Sequence, residues 1–155
     1  MRQQLYYTIE VRDKQGKLLK RLRRRSRSYV QQWNELVYVQ CAQQTNFSIK
    51  DTGGSDRNID YSPSNFDITA IIANALRGIV VGRGSTAVAI ADYALETICD
   101  EGVGANQLNY QAMSFTAPSV SGSDCSFAVT RAAINNSGST ITITEIGIYL
   151  SAADD

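Results

Sequence analysis

Thr140-Ile141-Thr142-Ile143-Thr144-Glu145-Ile146-Gly147-Ile148-Tyr149-Leu150, entered through the turn-forming cluster Asn135-Asn136-Ser137-Gly138, decides the fold class of this chain. β-branched polar and apolar residues alternate along it, and successive side chains of a strand point to opposite faces. The alternation slips by one place at Glu145-Ile146, so Ile141 and Ile143 cannot share a face with Ile146, Ile148 and Leu150 in an unbroken strand. A β-bulge near Glu145-Ile146 or at Gly147 is the expected repair.

Working back from this strand, Cys125 to Ile134 and Leu108 to Ala117 read as strands on either side of a small-residue turn, Ser119 to Ser123. Phe66-Asp67-Ile68-Thr69-Ala70 and Gly78-Ile79-Val80-Val81-Gly82 read as two more, with a short helical turn at Asp92 to Glu96. At the other end, Leu5, Tyr7, Ile9 and Val11 alternate with polar residues. Asp13-Lys14-Gln15-Gly16 is a turn, and Lys17 to Arg25 returns as the second strand of a hairpin. Ser28 with Gln31 is a capping box, and Val30, Trp33, Val37 and Cys41 recur at helical spacing behind it. The expected architecture is mainly β: an antiparallel β-sandwich or barrel with one α-helix packed on it. A single domain spans 1–155, divided into a basic β-hairpin (1–27), a helix (28–43), a long polar loop (45–65) and a β-sandwich core (66–150).

Composition narrows the function classes. The chain has no histidine, which removes the commonest general base and metal ligand. Cys41, Cys99 and Cys125 are odd in number and widely spaced, a pattern that fits buried thiols in a reducing compartment better than a disulfide framework or a zinc site. Neither a membrane span of about 18 apolar residues nor an apolar signal core is present, so the expectation is synthesis in the cytoplasm. Gly82-Arg83-Gly84-Ser85-Thr86 lacks the Lys-Ser/Thr pair of a P-loop and the third glycine of a dinucleotide fingerprint, and reads as a turn. Asp92, Glu96 and Asp100 fall at helical spacing without a calcium-type loop around them. No catalytic residue, cofactor or metal is assigned, and the chain is not expected to be an enzyme.

Charge is the strongest remaining signal. Residues 1–30 hold ten Lys/Arg against Glu10 and Asp13, a balance of +8, while the rest of the chain holds five against thirteen acids, a balance of −8. The candidate assembly or anion-binding residues are therefore Lys17, Lys20, Arg21, Arg23, Arg24, Arg25 and Arg27. Such a split lets the acidic body of one copy meet the basic hairpin of the next, with the 45–65 loop clasping a neighbour. The alternative is a nucleic-acid-binding protein that uses 17–27 against phosphates, although no aromatic interleaves with the arginines along that run.

Ile79-Val80-Val81-Gly82-Arg83-Gly84-Ser85-Thr86-Ala87-Val88, then Asp92 to Thr97, then Gly104-Ala105-Asn106-Gln107-Leu108-Asn109-Tyr110, occur in an order that resembles structural proteins of tailed bacteriophages. With Asn135 to Gly138 and Thr142 to Tyr149, these residues are most similar to the N-terminal modules of tail-fibre and collar proteins. In those modules a glycine-turn segment precedes a strand of the Thr-Glu-Ile-Gly type. The likeness runs from Ile79 to Leu150. It implies a virion protein, a neck, tail, baseplate or capsid-decorating subunit, partnered by copies of itself and by other virion proteins. A basic hairpin and a Trp33 helix stand in front, and no shaft or receptor-binding tip follows the last strand. The expected role is therefore assembly rather than host recognition.

Overall fold

Residues 4–26, 29–122 and 124–152 are described by the computed structural model. Strands dominate and one helix accompanies them. In chain order they are β1 (Tyr6–Arg12), β2 (Leu18–Arg25), α1 (Gln31–Ala42), β3 (Phe47–Lys50), β4 (Asp56–Ile59), β5 (Gly78–Gly82), β6 (Asn109–Tyr110), β7 (Ser114–Phe115), β8 (Ser119–Ser121), β9 (Asp124–Ser126), β10 (Val129–Thr130), β11 (Ala133–Ile134) and β12 (Glu145–Tyr149). All strand pairs are antiparallel. Among the described residues they form six two-stranded ladders, β1-β2, β3-β4, β5-β12, β6-β11, β7-β10 and β8-β9, which bear out a mainly antiparallel β fold with one helix. Short strands separated by small residues leave too few consecutive pairs to knit one continuous sheet.

Two apolar clusters hold the body together. In the first, Leu36 and Val39 of α1 pack on Ile49 of β3 and Ile59 of β4, with Phe47, Phe66, Leu150 and Ala152 around them. The buried stripe of α1 is thus Leu36 and Val39, with Trp33 half-buried against Phe66. Val37 and Cys41, expected on that stripe, are exposed. Helix α1 starts at Gln31 after Val30, without a side-chain cap. The Gln31 amide donates to the Ile90 carbonyl, so a tertiary partner takes one of the N–H groups that a cap would satisfy, while Asn34 Nδ2 donates to the Tyr29 and Val30 carbonyls. Ser28, the expected cap, and Arg27 lie outside the described residues.

The segment read as a long polar loop contains the β3-β4 hairpin. Its turn is built by Asp51, whose Oδ1 accepts from the Gly53 and Ser55 amides while Oδ2 accepts from Arg57. Phe47 and Ile49 with Ile59 supply the apolar side, a pattern too short to outweigh the polar residues between them. Phe66 to Ala70, expected as a strand, pairs only through an isolated bridge from Asp67 to Ser151.

The second cluster comprises Ala75, Cys99, Leu108 and Tyr110, flanked by Val81, Ile98, Ile141 and Ile143. β5 lies beside it. Along one edge it pairs with β12, from Glu145 opposite Gly82 to Tyr149 opposite Gly78, without a register shift. Along the other, the Cys99 amide donates to the Val81 carbonyl and the Arg83 amide to the Thr97 carbonyl. No bulge repairs the slipped alternation. The ladder begins at Glu145, and Ile141 and Ile143 precede it in extended chain that packs on the second cluster.

Residues 109–134 form one ribbon. β6-β11, β7-β10 and β8-β9 follow one another along it, and the register moves by one residue between successive pairs. Its base is buried at Tyr110, while every described residue from Ser114 to Ala128 is exposed. This segment is an exposed arm.

Candidate assembly interface

The β1-β2 ribbon places the candidate cations. Its turn is closed by Asp13, whose Oδ1 accepts from the Gln15 and Lys17 amides, and by Gly16 at φ +82. Directly opposed residues of an antiparallel pair share a face. Tyr6, Thr8 and Glu10 stand opposite Arg25, Arg23 and Arg21 on one face, and Tyr7, Ile9 and Val11 opposite Arg24, Leu22 and Lys20 on the other. The structure therefore divides the basic run: Arg21, Arg23 and Arg25 share a face, Lys20 and Arg24 take the other, and Lys17 sits at the turn. Neither buried cluster includes a β1 or β2 side chain.

The charges are only partly compensated. Glu10 accepts an ion pair from Arg21 at 3.0 Å and another from Arg12 at 2.6 Å. The Arg12 guanidinium holds the Glu10 carboxyl below its ordinary pKa. Lys20, Arg23, Arg24 and Arg25 have no ion pair among the described residues. Arg23 lies over the Tyr6 ring, 5.6 Å from its centroid, a cation–π geometry.

Aromatics do accompany the arginines, across the ladder rather than along the strand. Tyr6 and Tyr7 are visible in the sequence, but only the register puts them beside Arg25 and Arg24. Phe127 falls in the strand read over Cys125 to Ile134, with no sequence signal linking it to the basic run. It comes from the arm, and with Ser126 it completes a groove lined by Gln4, Leu5, Tyr6, Thr8, Arg21 and Arg23. The basic ribbon and the arm thus share one surface.

The other motifs are absorbed by the fold. The amides of the Gly82-Arg83-Gly84-Ser85-Thr86 turn are filled by the chain's own carboxylates: Glu145 Oε2 accepts from Gly84, and Glu96 Oε2 from Ser85 and Thr86. Glu145 also accepts from the Glu96 and Thr97 amides. A Cβ on Gly84 would lie 2.5 Å from both the Glu145 carboxyl carbon and Glu96 Cβ, so that glycine is needed for close approach. Hydrogen bonds from the Thr86 amide and side chain, and then from the Ser85 amide, hold the Glu96 carboxyl below its ordinary pKa. Asp92 accepts from the Ala89 amide in loop rather than in the helical turn expected at Asp92 to Glu96, and Glu101 accepts from Tyr110 and Asn109. No group of three or more His, Cys, Asp or Glu among the described residues is placed to hold a metal ion. Of the three thiols expected to be buried, only Cys99 is, and burial pushes its pKa up, partly offset by the neighbouring Arg83; Cys41 and Cys125 are exposed instead. No helix among the described residues is long and apolar enough to cross a membrane.

No family model matches the chain, and neither a curated protein nor a solved structure matches it.

Proposed function

We propose that this chain is a structural subunit of a tailed-bacteriophage particle that docks through its exposed ribbons. The supporting observation is the arm. Val120 is 76%, Phe127 66% and Phe115 46% exposed, on a ribbon whose only charge between Ser114 and Thr130 is Asp124. Apolar side chains displayed on a paired but uncovered ribbon are the mark of a surface that another protein covers. The likeness of Ile79 to Leu150 to bacteriophage modules supplies the setting, and the basic ribbon beside the arm supplies charge for partner choice.

The test is light scattering behind a sizing column on nuclease-treated protein, at about 50 mM and about 500 mM salt. A discrete oligomer or polymer is the expected result. The cross-strand arrangement of Tyr6 and Tyr7 with Arg25 and Arg24 favours one rival, a nucleic-acid-binding protein that uses 17–27. A monomer at both salt concentrations that retains nucleic acid when nuclease is omitted would assign that function instead.

A further inference from the structure

Resting on that assembly reading, we infer that the occupant of the Tyr6–Phe127 groove is a second copy of this chain, presenting its loop 86–96. The loop is the electrostatic and apolar counterpart of the groove. From Ser85 to Thr130 the sequence has no Lys or Arg, while the loop carries Asp92 and Glu96. From Lys14 to Asn34 it has no Asp or Glu. Val88 and Ile90 are 66% and 62% exposed on the loop, matching Tyr6 and Phe127, which are exposed in the groove.

The loop is also fixed before any partner arrives. Glu96 closes it on the Ser85 and Thr86 amides, and Asp92 caps Ala89. The Ile90 carbonyl takes the first amide of α1, and the Tyr149 hydroxyl accepts from Leu95. A surface ordered by internal bonds loses little entropy on docking. Among the described residues, no ion pair joins the ribbon's arginines to Asp92 or Glu96 of the same chain, so the complementary halves are left to meet between copies. Groove and loop are different surfaces. The contact is therefore heterologous, and repetition closes a ring or extends a tube.

A charge exchange between two variants tests this. Arg21→Glu/Arg23→Glu reverses the groove, and Ile90→Lys/Asp92→Lys reverses the loop. Each variant alone is expected to weaken self-association by about tenfold or more at low salt. Mixed one to one they should recover it, because each reversed surface then finds its opposite. Circular dichroism checks that both fold. Val88→Lys/Ile90→Lys serves as a second loop variant that leaves the Asp92 bond to Ala89 intact. Two variants that keep wild-type size, or a mixture of folded variants that does not recover, would overturn the groove-to-loop contact while assembly by other surfaces stands. A wild-type chain that is monomeric throughout would overturn both.

Discussion

Arg131 has no acidic partner within salt-bridge distance among the described residues, yet it is one of the most connected side chains of the body. Its guanidinium donates to the carbonyls of Gln111, Arg77, Ile79, Ile71 and Asn74 and lies over the Tyr110 ring at 4.7 Å. Burial presses its pKa down, and the Tyr110 and Glu101 sides act against that. This residue joins the base of the arm to the loop that leads into β5, and five carbonyls lose a partner if it goes. Arg131→Met, which keeps much of the side chain's length, is expected to cost about 2–4 kcal/mol, because bonds to a charged donor are worth more than neutral ones. Urea titration of the variant measures it. A loss under about 0.5 kcal/mol would mean that water replaces the guanidinium without penalty. Glu145 does the same work with the opposite sign, binding three amides where the sequence suggested only a strand residue.

At the scale of elements, the outer half of the arm, from Ser114 to Ala128, bonds to itself. Its strands make ladder bonds to each other, as between Thr116 and Ala128, and no side chain of that outer half joins a buried cluster. Surface substitutions away from packed features change stability by about 0.5 kcal/mol or less. Val120→Asp/Phe127→Asp should therefore leave the thermal midpoint within a degree or two and still reduce self-association in the sizing experiment. A large fall in midpoint with unchanged association would show that the arm packs on its own body and binds nothing. Strand positions such as β1, β2, β5 and the Glu145 to Tyr149 stretch were legible because their alternation is local. Which strands pair with which was not, since period-2 alternation says that a strand has two faces but not which other strand lies beside it. The basic run could be read from composition. Its division between two faces needed the register, and Phe127 needed the arm's return path.

The whole molecule is balanced in charge but uneven in how its carboxylates are held, and this fixes its response to acid. Glu10 is held low in pKa by the Arg12 guanidinium, Asp51 by that of Arg57, Asp67 by the Thr69 hydroxyl and Glu96 by the Thr86 and Ser85 amides. A folded-state pKa below the unfolded value means that the unfolded chain binds protons first as pH falls. Each group then contributes stability above its unfolded pKa, about 4 to 4.5, and loses it as pH drops through the folded value. The urea midpoint should accordingly be flat from about pH 7 to pH 5 and decline below about pH 4.5. Glu96→Gln separates one contribution from the rest. It keeps an acceptor oxygen for the Ser85 and Thr86 amides but has no charge to lose, so its decline should be shallower while its midpoint at neutral pH is lower. Parallel declines in wild type and variant would show that Glu96 does not couple loop 86–96 to folding. Protonation of Glu96 removes negative charge from the loop and leaves the arginines of β2 unchanged, so self-association should weaken as the pH falls through the same window.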